Sequence, residues 1–317
     1  MIISASRRTD IPSYYSDWFF NRLKEGFVYV RNPMNIHQVS KVSLSPDVVD
    51  GIVLWTKNPL PMLDRLDELA QYSYYFQFTL NSYQQDVEAN LPSKNDVLIP
   101  TFQKLSDLIG AERVIWRYDP IFLNDKYTVD YHAEYFEKMA RRLKDYTKKC
   151  TISFIDYYRN TVNNVKGLNI ATFTEADKDL LAKTLSEIAH RYGLAMDTCA
   201  EGVDLSKYSI THACCVDDRL LEKISGYNLK IEKDKSQRLE CGCVSSVDIG
   251  LYNTCRNGCR YCYANYSTKT VDTNSQKHNP HSPLLSGSFD ENEDILAERK
   301  ASSNRTSQQL NLFETTD

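Results

Sequence analysis

The chain has 317 residues, of which 42% are hydrophobic and 25% charged, and a formal net charge of −4. That length buries a sizeable core in one large domain or two modest ones. The charge excludes a globally basic protein, so any polyanionic partner has to meet a local patch. No apolar run approaches the length of a membrane span, and the opening MIISASRRTD has the wrong order and length for a signal peptide. A cytoplasmic location without membrane contact is expected. In that reducing compartment, nine cysteines point to metal binding or catalysis rather than to a disulfide framework.

Short β-rich runs alternate with helical patterns along most of the chain. Strands are predicted at 2–6, 51–56, 73–80, 113–118, 151–156, 194–199 and 247–253. Helices are predicted near 14–25, 60–71, 97–110, 130–148 and 173–192, the last with clear i, i+3, i+4 spacing and a glycine stop. Residues 27–44 read as a β-hairpin inserted after the first strand. The alternation implies an α/β fold with a parallel sheet, a full or partial (β/α) barrel. The C-terminal ends of the strands carry Arg7, Arg8, Asp10, Lys57, Asn58, Asn81, Arg117, Asp119, Asp156 and Glu201. In a (β/α) barrel those ends build the active site, so a common polar cavity is expected. From about residue 268 the composition turns polar and aperiodic, and 267–317 is expected to be a disordered tail.

The cysteines are clustered. Residues 1–149 have none, Cys150 stands alone, and the other eight fall between 199 and 262. Cys255, Cys259 and Cys262 form a C-x3-C-x2-C loop directly after the last predicted strand, with Gly258 easing the turn before the second thiol. Three thiolates on one loop can each reach one iron of a cubane cluster and leave the fourth iron open to a small molecule. The competing reading is a closed structural zinc site, with Cys241, Cys243 and two of the loop cysteines as its four ligands.

Cys199, Cys215, Cys241 and Cys243, with Cys214 as a substitute, are candidates for a second site holding iron–sulfur or zinc. Cys241 and Cys243 share one face of an extended segment. As small buried hydrophobes these residues would need no metal. Cys150 is expected to be inert, and His212 to be a surface histidine able to replace one thiol. Arg117 and Asp119 alternate at a strand end and face the same way. The guanidinium there can grip a carboxylate or phosphate in two prongs, or pair with Asp119. Lys57 offers a point charge for the same work.

The cysteine spacing, with Tyr261 directly before the third cysteine, resembles the hallmark of the radical S-adenosylmethionine (SAM) superfamily. The stretch CRYCYAN also resembles the motif region of its spore-photoproduct-lyase-like branch. The resemblance implies a [4Fe-4S] cluster on Cys255, Cys259 and Cys262 whose open iron chelates SAM. An electron from a donor such as a flavodoxin or ferredoxin then yields a 5′-deoxyadenosyl radical that abstracts hydrogen from a substrate. Arg7, Arg8, Lys57, Arg117 and Asp119 are the expected cofactor contacts at the strand ends, beside Tyr261.

Two features depart from the superfamily pattern. The loop follows the last strand rather than the first, and the chain has no Gly-Gly pair for the usual amine motif. A circular permutation, with the last strand beside the first, preserves the geometry. Residues 1–266 as a whole resemble a bacterial family that shares SRRTDIP, WTKNP, RYDPI and CGC…DIGLYNTC, which brings a fold expectation and no established reaction. The expected organisation is therefore a permuted barrel over 1–266, including the cysteine-rich segment 199–262, followed by the tail 267–317. Within the tail, Gln309–Phe313 resembles the short peptide with which bacterial repair and replication proteins dock on the DNA sliding clamp. That likeness, with the lyase one, points to nucleic acid. The alternative function is a non-catalytic nucleic-acid-associated binding protein stabilised by zinc or iron–sulfur.

Overall fold

The structure is a computed structural model and describes residues 1–306; Gln309–Phe313 lies outside the described residues. In chain order its strands are β1 (Ile2–Ala5), β2 (Phe27–Asn32), β3 (Asn35–Ser43), β4 (Gly51–Thr56), β5 (Tyr74–Thr79), β6 (Val114–Ile121) and β7 (Lys149–Phe154). They continue with β8 (Ala195–Thr198), β9 (Ile210–His212), β10 (Asn228–Leu229), β11 (Ser246–Asp248), β12 (Ile295–Glu298) and β13 (Arg305–Thr306). The α-helices are α1 (Ile11–Tyr14), α2 (Ser16–Glu25), α3 (Ile99–Ile109), α4 (Val129–Leu143), α5 (Arg159–Asn164), α6 (Glu175–Arg191), α7 (Asp218–Ser225) and α8 (Thr268–Gln276). Local chemistry sets several of these boundaries. A Thr174–Asp177 capping box starts α6, and Gly26, at φ +75°, closes α2.

One eight-stranded sheet dominates, in the order β11-β1-β4-β5-β6-β7-β8-β9, and every neighbouring pair in it is parallel. The α/β parallel architecture expected from the alternation is present. Closure is not: among the described residues β9 and β11 are the sheet's two edges. The sheet's last strand in chain order, β11, lies beside β1, with Ile3 opposite Val247. It is shorter than the predicted 247–253, because the Asp248 carboxylate captures Gly250 N–H at 2.9 Å and turns the chain. The hairpin expected at 27–44 is β2–β3, paired antiparallel.

Alternation along the strands divides the core. Ile3, Ile52, Leu54, Phe76, Trp116, Cys150 and Ile152 face the helices in the main apolar cluster. Ile2, Val53, Tyr75 and Ile115 point to the opposite face, where they meet Ala213, Cys215, Val216, Leu221, Cys241, Cys243 and Val244. The segment 213–244, including α7, thus covers one face of the sheet. Gly51 makes room for it: a Cβ there would stand 2.4 Å from Leu221 Cδ2.

The expected disorder of the tail is corrected for residues 267–306. Ser267 Oγ caps α8 by accepting Thr270 N–H at 3.2 Å, and Val271, Leu284 and Leu285 are buried. Trp18 Nε1 donates to Ser282 O at 2.9 Å, and Arg31 pairs with Asp294 at 2.6 Å. β12 adds a strand beside β3. The polar composition carries no signal of its own here; order comes from partners offered by α2 and the hairpin. No helix among the described residues is long and apolar enough to cross a membrane.

His132 on α4 is fully buried under the end of β6. Its Nδ1 lies 2.7 Å from Tyr118 Oη and its Nε2 lies 2.9 Å from Phe122 O. Burial lowers its pKa to about 4 from an ordinary 6.5, against the hydrogen bond to Phe122. Between those values the unfolded chain binds a proton that the native chain refuses. His132 therefore contributes stability in full above pH ~6.5, and that stability is lost as pH falls towards ~4. Urea unfolding should show a loss of roughly 3 kcal/mol across that window. A His132→Gln variant, less stable at neutral pH, should lack that limb; an unchanged slope would mean that other groups govern the acid response.

Candidate functional site

The loop carrying Cys255, Cys259 and Cys262 leaves β11 and lies across the C-terminal ends of β1, β4 and β5. Its backbone is held by side chains from well-separated stretches. Tyr15 Oη donates to Thr254 O at 2.6 Å, and Asn90 Nδ2 donates to Arg256 O at 2.8 Å. Asn164 Nδ2 donates to Cys262 O at 2.7 Å, and Asn265 Nδ2 donates to Cys255 O at 2.7 Å. Asn257 is itself clamped, accepting from Tyr14 Oη at 2.8 Å and donating to the buried Asp10 carboxylate at 3.0 Å. Gly258 sits at φ +67°, and a Cβ there would meet Asn90 Nδ2 at 2.8 Å. That position needs both the left-handed backbone and the empty space.

The three thiols feel one another electrically. Burial pushes the Cys255 thiol well up, and the charges of Asp10, Cys262 and Cys259 add to it. Burial likewise carries Cys259 to about 12, with Lys57 pulling it down and Glu88 pushing it up. Burial also raises Cys262. A bare thiolate trio is unfavourable here; a metal that takes the place of the protons reverses that, because coordinated thiols are deprotonated outright. Three soft donors on one braced turn fit a [4Fe-4S] cluster by the chemistry of the donor set.

Tyr261 points into the floor of this region, where its hydroxyl donates to Glu88 and accepts from Asn81 Nδ2 at 3.2 Å. Glu88 is 1% exposed and bridges two cations, Lys57 at 2.9 Å and Lys94 at 2.6 Å. Burial alone would raise the Glu88 carboxyl, but the two lysines hold it below its ordinary value. Burial opposes the charge on Lys57, yet Glu88 and Cys259 keep its pKa raised. Neither Glu88 nor Asn90 was marked by the sequence pattern. Both sit in a polar loop, QQDVEAN, with no periodicity to distinguish them.

The strand-end ring is otherwise largely paired. Arg117 is 4% exposed and gives its donors to Asp119, to Gln77 Oε1 at 3.3 Å and to Cys215 Sγ at 2.9 Å. The Arg–Asp pairing is what the structure contains, and it leaves this guanidinium without a free fork for a ligand carboxylate. Arg7 and Arg117 lie over Trp55 at 5.6 and 5.2 Å. Arg8 Nη1 donates to Gly250 O at 3.4 Å and its guanidinium covers Tyr252 at 5.2 Å. Asp156 pairs with Arg238 at 2.8 Å, and Glu201 Oε1 accepts Phe154 N–H at 2.8 Å.

The remaining cysteines divide. Cys199, Cys215, Cys241 and Cys243 gather in one buried cluster: Cys215 Sγ is 3.3 Å from Cys199 Sγ, and Cys243 Sγ accepts Val216 N–H at 3.4 Å. Cys214 turns aside, towards Gly242. Cys150 lies on the helix-facing side of the sheet, and His212 is exposed on β9.

The arrangement defines an α/β protein with a cysteine-loop site at the carboxyl ends of a parallel sheet. Residues 2–264 match the family model described as Domain of unknown function (DUF1848), and the chain belongs to that family. A comparison with curated proteins finds no match.

Glu88→Gln leaves two lysines facing a neutral amide and is expected to cost about 3 kcal/mol or more in urea unfolding. Lys94→Met, which removes one of the two cations instead, should cost clearly less. Equal losses would show that the carboxylate is not what holds the floor together.

Proposed function

We propose that this chain is a radical SAM enzyme on a circularly permuted, partial (β/α) barrel, with a [4Fe-4S] cluster held by Cys255, Cys259 and Cys262. The carrying observation is the cysteine loop itself: three thiols on one braced turn, over a floor formed by Tyr261, Glu88 and Asn81. When bound and reduced, the cluster supplies the electron that splits SAM into methionine and a 5′-deoxyadenosyl radical. The chain's own residues orient and charge-balance the site. Lys57 places a cation beside Cys259, and Glu88 holds that cation in place. Asn81 Oδ1 is buried and, among the described residues, lacks a hydrogen-bond partner. It is our candidate acceptor for the SAM amino group, in place of the absent glycine-rich motif.

For the substrate we favour nucleic acid, in keeping with the lyase-like loop. A cleft of about 800 Å3 opens beside the loop, lined by Arg7, Arg8, Arg159 and Arg299, and by Arg31, which is already paired with Asp294, against two carboxylates, Asp234 and Asp248. Tyr158, Tyr252 and Tyr263 share its wall, and Tyr263 Oη donates to Arg7 O at 2.7 Å, tying the cleft to the cysteine loop. Guanidinium groups with interleaved aromatic rings suit phosphates and stacked bases.

Anaerobic reconstitution with iron and sulfide, followed by a one-electron reductant and SAM, should yield 5′-deoxyadenosine. Cys255→Ala, Cys259→Ala and Cys262→Ala should each abolish it together with the cluster absorbance. A fully loaded, reducible cluster that leaves SAM intact would overturn the proposal.

A further inference from the structure

We propose that Cys199, Cys215, Cys241 and Cys243 form a second metal centre, a tetrahedral zinc site that fastens the segment 213–244 onto the sheet. The four residues come from three separate stretches: the end of β8, the turn after β9, and the run leading to β11. Cys199 and Cys215 are 3.3 Å apart at sulfur, Cys243 Sγ accepts Val216 N–H at 3.4 Å, and Cys215, Cys241 and Cys243 share one buried cluster with Cys199 packed against it. Thiolates bound at ~2.3 Å around one zinc ion stand roughly 3.8 Å from each other along the edges of the tetrahedron. The sulfur–sulfur contact of Cys199 with Cys215, at 3.3 Å, is somewhat shorter than that edge. Cubane ligands stand farther apart because each binds a different iron, so the short Cys199–Cys215 contact favours one ion over a second cluster. Among the described residues no group of three or more His, Cys, Asp or Glu side chains yet closes on one point. Side-chain rotation that brings the four sulfurs onto one centre is what binding requires.

Two further features fit thiolates rather than four apolar cysteines. Arg117 Nη1 donates to Cys215 Sγ at 2.9 Å, and a neutral thiol is a weak acceptor for a buried guanidinium. Arg7 Nη2 is buried and has no hydrogen-bond partner among the described residues, while its guanidinium lies within electrostatic reach of Cys243 and Cys215. A zinc ion with four thiolates carries two net negative charges, and nearby N–H donors are the usual support of such a sphere. The backbone is shaped for it as well. A Cβ at Gly242 would stand 2.7 Å from Cys214 Sγ and 2.8 Å from Ala213 O, so only glycine lets the Cys-Gly-Cys run lie against the Ala213–Cys215 turn.

This site does not depend on the iron–sulfur reading of the 255–262 loop, and the test separates them. Full-length chain produced with added zinc and purified in air, where oxygen degrades iron–sulfur clusters, should carry about one zinc per chain by elemental analysis. The same content should persist in a Cys255→Ala, Cys259→Ala, Cys262→Ala triple variant and in Cys214→Ser. It should vanish in a Cys215→Ser, Cys243→Ser double variant and fall in Gly242→Ala. Should the Cys215→Ser, Cys243→Ser variant fail to fold, cobalt loading of the Cys255→Ala, Cys259→Ala, Cys262→Ala variant still decides: intense thiolate-to-cobalt and tetrahedral d–d bands support the site. A chain that takes up neither ion, zinc that leaves with the 255–262 thiols, or iron at the four-thiol site would each overturn the proposal.

Discussion

The parallel pairing of β11 with β1 is the constraint on which the rest depends. A parallel neighbour cannot be reached through a tight hairpin, and here every other strand of the sheet is laid down before β11 docks. Asp248 locks the register once it arrives. Its carboxylate accepts from Ser4 Oγ at 3.1 Å, Ser6 Oγ at 2.6 Å and Arg7 N–H at 2.8 Å. Gly250 passes so close that a Cβ would fall 2.0 Å from Ser6 Oγ. Because that register is fixed, the cysteine loop that follows lands beside residues 7–15 and takes its clamps from Asp10, Tyr14 and Tyr15. A loop late in the sequence acquires an environment built by the earliest residues.

Around that junction the structure keeps charge inside by pairing it. An isolated ion in a low-dielectric interior is prohibitively unfavourable, and a paired one is tolerable when its remaining donors are satisfied. Lys57–Glu88–Lys94 and Arg117–Asp119 meet that condition. The consequence is functional. Cations that looked like free ligand anchors at the strand ends are committed to protein partners, which makes them positioning elements. Acceptors and donors left over nearby, such as Asn81 Oδ1 and Arg7 Nη2, become the informative atoms.

Much of the framework could be read from the sequence, for identifiable reasons. The strand at 51–56 and the helix over 175–191 announce themselves because local periodicity and capping agree with their final burial. The cysteine loop is visible because its spacing is short-range. Glu88 was invisible because a lone glutamate in a polar loop resembles any solvated one until Lys57, Lys94 and Tyr261 converge on it. The order of 267–306 escaped for the same reason. Ser282 O and Asp294 matter only because Trp18 and Arg31, more than 250 residues earlier, need partners. The short β11 shows the converse case: seven strand-like residues were truncated by one side chain that captures the following amide.

An open parallel sheet must still cover both faces, since exposed strands of this composition would be unstable in water. Helices cover one side. On the other, where a closed barrel would pack strand against strand, the segment 213–244 does so, with Leu221 over Gly51 and Cys215 O accepting from Tyr75 Oη at 2.7 Å and Gln77 Nε2 at 2.9 Å. The covering segment sets its buried side chains against the sheet with only one brief helix, α7, and little other regular structure. It follows that this part of the chain gains most from a cross-link, and it is there that four thiols from three stretches meet. Arg117 touches that group on one side and Asp119 on the other, while Asp119 and Glu88 both act on Lys57 next to Cys259. Asp119 thus stands between the two cysteine groups, paired with Arg117 on one side and within electrostatic reach of Lys57 on the other.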